Sequence, residues 1–415
     1  MRVGIYFHGY QPESGGGYTF KKDILTALIG LASQSHHHFT LFTDNVSSLK
    51  LPINTSVNIE TFLLKRESRF SYILRHLRRV AQKFGLVRIA LQLESPLQKA
   101  ISQKKIQFIW FPTPEYSPID IPYIATIWDI QHRVQPWFPE VGNETLWVGL
   151  DKYVSDYVQR ATYVITPNQV GQNEIAFYFQ IPPERFIMLP HPAPKISLHN
   201  PTQIDEILEK FHLVRQGYLF YPAQFWPHKN HINLLYALKI LREENNFSIP
   251  LVLVGSDKGN LHHVLSTAEE MGISDLLHFL GFVPRDDLIG LYQGALALTF
   301  LSLFGPENLP PLEAFSCGCP VIVARVAGAE EQYEDSVLMV EGTIPSEIAA
   351  AIKSLYTNPK LRERLIKKGR IRSERFTANN YVNGVFAAIN KFEDVRKTWG
   401  TKYDQNLNRF IKSEK

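Results

Sequence analysis

The chain has 415 residues, of which 45% are hydrophobic and 20% charged, with a net charge of +4 and two cysteines. That length suggests two or three domains, the apolar content excludes wholesale disorder, and the charge is too small to imply nucleic acid. Cys317 and Cys319 stand too close to bridge comfortably, and no Cys or His group completes a zinc site with them. Both read as small buried residues in a reducing compartment. Met1 runs directly into an apolar strand, and no apolar run reaches membrane-spanning length, so neither a signal peptide nor a spanning helix is expected.

In chain order, the first half predicts strands at Val3–Phe7, Phe39–Thr43, Asn58–Leu63, Ile106–Phe111, Tyr123–Trp128, Tyr163–Thr166 and Phe186–Leu189. Helical patterns fall between them at Lys21–Ala32, Ser71–Phe84 and Leu146–Ala161. The second half repeats the alternation, with strands at Tyr218–Tyr221, Leu251–Val254, Leu277–Phe279, Ala295–Leu301, Val321–Ala324 and Val337–Val340. Short apolar strands alternating with helices predict parallel sheets covered on both faces. Pro190-His-Pro-Ala-Pro194 stiffens the exit from the first half, and a helix at Gln203–Phe211 lies at the junction. The expectation is an α/β chain of two doubly wound, Rossmann-like domains facing a cleft. They comprise residues 1–200 and 201–377, followed by a terminal helix and tail, 378–415, whose apolar face is Tyr381, Val382, Val385, Ala388 and Ile389.

Several stretches carry chemistry. Gly15-Gly-Gly17 follows the first strand and lets the backbone approach a ligand closely, but its spacing is not a dinucleotide fingerprint, which argues against an oxidoreductase. A plain turn would look the same. His36-His-His38 is read as surface, because side chains on an entering strand alternate faces and no carboxylate cluster accompanies them in sequence. The segment 65–88 holds eight Lys or Arg and one Glu, interleaved with apolar residues. It fits either a domain helix with a solvated basic face or a helix lying on an anionic membrane; nucleic-acid binding lacks any recognised module. Asp129 and His132 follow an apolar strand, and His132 could serve as a base, since its unperturbed pKa lies near neutrality, or sit blandly at a surface or cap. Lys229 follows the first strand of the second half. Pro310 and Pro311 start a helix, so the N–H groups around Asn308 and Leu309 point out of its positive end, where a phosphate would sit. Glu313 on the same first turn could accept hydroxyl hydrogens from a diol, and amides for an anion beside a carboxylate for a diol suggest a nucleotide.

Leu309-Pro-Pro-Leu-Glu-Ala314 followed by Cys317-Gly-Cys-Pro-Val-Ile322 resembles the donor-binding signature of the family 4 glycosyltransferases (glycosyl transferases group 1). These are retaining sugar-nucleotide enzymes of the GT-B fold. The resemblance implies transfer of a hexose, mannose or glucose, from a nucleoside-diphosphate sugar to a glycan or lipid-linked acceptor hydroxyl. It implies no cofactor beyond that donor, no metal, and polysaccharide biosynthesis in the cytoplasm or peripherally on the cytoplasmic membrane face, with 65–88 as the membrane contact. Donor contacts carried over are Gly16 and Gly17 near the diphosphate, Lys229 as its cationic clamp, Asn308 and Leu309 through their amides, Glu313 on the ribose, and Phe282 and Val283 at the base, although a buried hydrophobic turn would look the same as that last pair. Gln224 stands where the family usually has Arg and cannot supply charge; His228 and His231 are possible substitutes, or plain loop residues.

The family's first Glu lies eight positions before the second. Here that position is Gly305, and Glu307 follows two later, to hold the donor sugar or to face solvent. Trp128 replaces the usual His before Asp129, and Asn168 stands where a cleft-facing Ser is common. Catalytic candidates are therefore Lys229, Glu307, Asp129 and His132. The departures at Trp128 and Gln224 keep two alternatives open: a catalytically impaired sugar-nucleotide or glycan-binding GT-B protein, and a GT-B phosphorylase or epimerase.

Overall fold

A computed structural model describes residues 1–8, 16–44, 58–64 and 95–400. The expected helix Ser71–Phe84, the basic segment 65–88 and Gly15 lie outside the described residues.

Two all-parallel sheets form. The first contains β1 (Arg2–Phe7), β2 (His38–Thr43), β3 (Ile59–Leu63), β4 (Phe108–Trp110), β5 (Tyr123–Thr126), β6 (Tyr163–Thr166) and β7 (Phe186–Met188), in the order β3-β2-β1-β4-β5-β6-β7. The second contains β8 (Leu219–Pro222), β9 (Leu251–Val254), β10 (Leu277–Phe279), β11 (Ala297–Phe300), β12 (Val321–Ala324) and β13 (Leu338–Val340), in the order β10-β9-β8-β11-β12-β13. The expected class, two doubly wound α/β units, is the observed one. Strands such as Leu251–Val254 and Val321–Ala324 are buried at every position, which is why they read as unbroken apolar runs rather than alternating ones.

In a sheet of this kind the strand order reverses at one point, and the loops leaving the two strands there splay apart to make a crevice. In the second sheet that point lies between β8 and β11. The chain leaving β8 carries Lys229, and the chain leaving β11 carries residues 302–308, so the topology alone brings these two sequence-distant segments together.

The helix Pro201–Lys210 opens with a capping box, Asn200 and Gln203 each bonding the other's backbone, and sends Ile204 and Leu208 into the second core. The terminal helix, Ala378–Arg396, goes elsewhere. Its Tyr381, Val382, Val385, Ala388, Ile389 and Phe392 join Val3, Ile5, Phe20, Phe39, Phe108 and Trp110 in the core of the first sheet. Phe392 stacks on Phe108 with ring centroids 4.4 Å apart, and Phe386 stacks on Phe39 at 5.1 Å. Cys317 and Cys319 are buried and unbridged.

Of the histidine tract, His36 and His38 are exposed as expected, and His37 departs from the surface reading. His38 begins β2, and His36 and His37 precede it in a bend; exposure alternates from His36 to Phe39. His37 is fully buried, and both rings turn toward Glu393 on the terminal helix.

Truncating Phe392 removes a large side chain from a stacked core contact. Phe392→Ala is expected to cost roughly 3–5 kcal/mol, read as a lowered urea midpoint; a loss below about 1 kcal/mol would mean that the helix is not docked in this core.

Candidate active site between the two sheets

The second-domain wall is built on the switch point. After β8 the chain makes a short 3-10 turn, Pro227–Lys229, and ends it with Asn230 in the left-handed region at φ 58°. Asn230 is buried and donates from Nδ2 to the Leu301 carbonyl at 3.2 Å and the Gly342 carbonyl at 2.7 Å. Leu303 N–H bonds the His228 carbonyl at 2.8 Å. These bonds clamp the two loops together and fix the origin of the Lys229 side chain. Lys229 Nζ reaches Ser302 Oγ at 3.3 Å and lies 5.0 Å from the Phe300 ring centre. Burial pulls its pKa down to about 8, while Asp129 and Glu140 of the first domain support its charge.

The loop 302–308 leads into the helix Leu309–Cys317. Gly305 turns it at φ 86°, a conformation that favours glycine, and Asn308 Nδ2 ties back to the Phe304 carbonyl at 3.1 Å. The expectation of two free amides is corrected here. Asn308 N–H donates to Gln332 Oε1 at 2.9 Å, and Gln332 Nε2 returns a bond to the Asn308 carbonyl at 2.9 Å. Gln332 reaches this point from the helix Ala329–Tyr333. The Leu309 N–H has no partner among the described residues, so one amide, not two, remains for an anion at this helix end.

Glu313 lies one turn further on and accepts from Tyr292 Oη at 2.9 Å. Burial raises it to about 7; the Tyr292 bond and Arg285 oppose that shift, and Asp23 adds to it. Arg285 extends to Thr19 Oγ1 of the first domain at 3.4 Å. Gly16 and Gly17 are not in a loop: they open the helix Gly16–Leu31 that carries Thr19 and Asp23.

The first-domain wall follows β5. Asp129 accepts from Gln131 N–H at 3.2 Å. Asp129 is exposed to solvent by surface area, with many protein atoms around it. Burial pushes its pKa up, opposed by the Gln131 N–H and by the charges of His132, Lys229 and His191. Glu174 lies close enough to Asp129 to feel it; burial and then that like charge raise Glu174 to about 7. His132 is neither on the surface nor a cap. It is buried, its Nε2 3.5 Å from Asp151 Oδ1 and its ring beside Trp147. Burial lowers its pKa, partly offset by Asp151. Arg133 turns away from the cleft, bonding Asp151 from Nη2 at 2.6 Å and lying over the Trp147 ring.

Other candidates sort by their surroundings. Gln224 bends back on its own loop and accepts from Trp226 Nε1 at 3.1 Å. Phe282 is 60% exposed, whereas Val283 is a core side chain at 6%, leaving only its backbone for a ligand. Gly255 lies so close to the chain leaving β8 that a Cβ would meet the Ala223 carbonyl oxygen at 2.1 Å. His228 and His231 do not replace the missing arginine. His231 is sandwiched between Tyr221 and Phe225, and burial followed by the Lys229 charge lowers it to about 3. His228 stacks on Phe304 at 4.2 Å and bonds Glu140; burial and Lys229 lower it to about 2.

The two walls touch. Glu307, whose side chain is 3% exposed, is not solvent-facing: it accepts from the His191 N–H at 2.7 Å, and its carboxylate lies 2.8 Å from His191 Nδ1. Asn168 caps its helix through Gly171 N–H at 2.9 Å and donates to the Pro306 carbonyl at 2.7 Å. Glu140 accepts from the His228 N–H at 3.1 Å. Sequence reasoning missed His191, Glu140, Glu174, Arg285 and Gln332. The rigid Pro190-His-Pro192 was the one legible sign, since it fixes an imidazole directly after β7, but it was read only as a linker.

This geometry agrees with what the chain is similar to. Residues 203–372 match the model of the Glycosyl transferases group 1 family. They are a glycosyl transferases group 1 domain. The O-antigen chain mannosyltransferase B of Escherichia coli is 28% identical over 233 residues, 56% of this chain and 61% of that protein. The D-inositol 3-phosphate glycosyltransferase of Acidothermus cellulolyticus is 30% identical over 158 residues, 37% of this chain and 35% of that one. The chain thus spans about three fifths and about one third of those relatives. The solved structure of Anabaena HepE in complex with UDP-glucose superposes with a TM-score of 0.66 at 16% identity, covering 94% of this chain and 99% of that one. The fold is GT-B, and the group 1 domain carries Lys229, the 302–308 loop and Glu313. No helix among the described residues is long and apolar enough to cross a membrane.

The raised Glu313 pKa gives a stability test. A carboxyl raised from 4.5 to about 7 contributes stability that is complete below pH 4.5 and lost as pH rises through 7. Glu313→Gln keeps an acceptor for Tyr292 without that loss. Relative to the wild type, the variant should gain stability between pH 4.5 and 8, by up to about 3 kcal/mol, in urea titrations of both proteins; a constant difference across that range would contradict the burial of an ionising group.

Proposed function

We propose that the protein is a retaining glycosyltransferase of family 4. It moves a hexose, mannose or glucose, from a nucleoside-diphosphate sugar to the hydroxyl of a glycan or lipid-linked acceptor. The observation that carries this reading is the ammonium of Lys229 beside the Ser302 loop and the start of helix Leu309–Cys317, at the switch point of the group 1 domain. A mannosyltransferase relative and the likeness to a UDP-glucose complex support the donor class.

In this reading Lys229 and the Leu309 N–H take the diphosphate and Glu313 takes the ribose. Phe282, the exposed aromatic on the turn after β10, offers its face to the base. Asp129, Glu174 and the His191–Glu307 pair surround the transferred sugar. The bond from the anomeric carbon to the phosphate oxygen breaks with its electron pair on that oxygen. The acceptor oxygen bonds the same carbon, and its proton leaves with the diphosphate. Negative charge grows on the departing phosphate, so a fixed ammonium and amide stabilise the transition state more than the ground state. We assign the charge work to these groups and not to a metal. Bound donor and acceptor displace water from the cleft between the walls. The reaction draws on cytoplasmic nucleotide sugars, with an O-antigen-like polysaccharide as the product class.

A thermal-shift panel with UDP, GDP, UDP-glucose and GDP-mannose tests the donor. Acceptor-dependent release of nucleoside diphosphate tests transfer. Donor binding without turnover would instead select the binding-protein reading, for which Trp128 and the self-bonded Gln224 are the structural grounds. Lys229→Ala should lower kcat/KM by about 100-fold or more; a loss within threefold would remove Lys229 from the site.

A pKa of about 8 for Lys229 also sets a pH dependence. The ammonium is present below that value and lost above it, so nucleoside-diphosphate affinity should fall as pH rises from 7.5 to 9.5. The slope should vanish in Lys229→Ala, as measured by calorimetric titration. An unchanged affinity at pH 9.5 would show that the amine is not the clamp.

A further inference from the structure

We propose that His36, His37 and Glu393 form a binding site for one divalent transition-metal ion of the zinc class, at the opposite end of the first sheet from the cleft. The three side chains come from two distant parts of the chain. His36 and His37 sit in the bend before β2, and Glu393 projects from the last turns of the helix Ala378–Arg396. One ligand atom from each lies within 4.8 Å of the others, which is close enough for all three to reach a common ion.

The pairwise geometry already converges. His36 Nε2 donates to Glu393 Oε2 at 2.7 Å, and His37 Nδ1 lies 3.9 Å from Glu393 Oε1. The two imidazoles are 4.0 Å apart between ring centres. Asn390, three residues before Glu393 and so on the same helix face, bonds His37 Nε2 through Oδ1 at 2.8 Å. An amide oxygen can only accept, so that bond places the His37 proton on Nε2 and leaves the Nδ1 lone pair facing the cluster. This is the outer support that orients a metal-binding histidine. The Met1 ammonium fills that position here, donating to His37 Nδ1 at 3.0 Å and pairing with Glu393 Oε1 at 3.1 Å, so one cation already sits where the three ligands converge and a metal ion would take its place.

The donor set is two imidazole nitrogens and one carboxylate oxygen, the chemistry preferred by zinc and its neighbours rather than by calcium or magnesium. Access differs usefully among the ligands: the His37 side chain is fully buried, Glu393 is 17% exposed, and His36 is 63% exposed. An ion can therefore enter from solvent past His36 and meet an oriented pair behind it. Binding through His36 Nε2 moves that ring's proton to Nδ1, the tautomer of a neutral metal-bound histidine, and the ion replaces the hydrogen bond to Glu393. The ion would fasten the bend before β2 to the end of the terminal helix, a contact that here rests on hydrogen bonds.

The test uses untagged, EDTA-treated full-length protein titrated with Zn(II) by calorimetry and with Co(II) by visible absorbance. One equivalent should bind, with a tetrahedral Co(II) spectrum and a raised melting temperature. His36→Ala, at an exposed position that the fold tolerates, and Glu393→Gln should each weaken binding at least about tenfold. His38→Ala, in the same tract but on β2, should leave binding unchanged. Melting curves of the metal-free variants show that each remains folded. No stoichiometric binding, or equal weakening by His38→Ala and His36→Ala, would overturn the site and reduce the tract to unspecific chelation.

Discussion

Lys229 is an ammonium drawn into a cleft where burial works against its charge, and the carboxylates that sustain it, Asp129 and Glu140, belong to the other domain. A charge in such a place must be paired or lose its proton. The chain therefore couples the electrostatics of the site to the approach of its two halves. The His191–Glu307 pair and the Asn168 bond to the Pro306 carbonyl close the same gap from either side. Each joins a residue after a first-sheet strand to the loop after β11. The cleft is thus not a gap between two finished surfaces; its polar groups are completed by residues on the facing wall.

What could be read in advance followed the length scale of the physics. The strands Tyr163–Thr166, Leu251–Val254 and Val321–Ala324 were legible to the residue, because a strand buried on both faces writes itself as a nearly continuous apolar run. The helix start at Pro310 and Pro311 was legible because proline restricts its own backbone. Lys229 and Glu313 were legible as candidates because both lie beside such local signals. The capture of the Asn308 amide by Gln332 was not. It depends on a side chain 24 positions away on a five-residue helix, and nothing at either position announces the other. The same holds for Glu307 and His191, which are 116 residues apart. The surface reading of the histidine tract held for His36 and His38 and failed for His37, whose ring is buried against the terminal helix by contacts distant in sequence.

The departures from the family pattern are filled rather than left as holes. Trp128 stands where a histidine is usual, and its ring packs edge-on against Phe20 and His191, with centroid distances of 5.4 and 5.6 Å. The imidazole that Asp129 feels from this side comes from residue 191. A larger ring at 128 and an imidazole supplied by the rigid Pro190–Pro192 turn occupy this region together. A second aromatic group spans the two walls, with Phe138 of the first domain packed edge-on against His228 and Phe304 of the second.

The terminal helix gives the first sheet a core that is discontinuous along the chain. Val3, Phe39 and Phe108 are made early, but Phe386, Ile389 and Phe392, which cover them, come only after the whole second sheet. A ribosome delivers residues in order, and domains generally fold as they emerge. Here the first unit cannot seal until the second has been translated. In the interval its open apolar face must be shielded by transient collapse or by a chaperone, and the second unit, though later in the sequence, has every side chain of its own core in hand first.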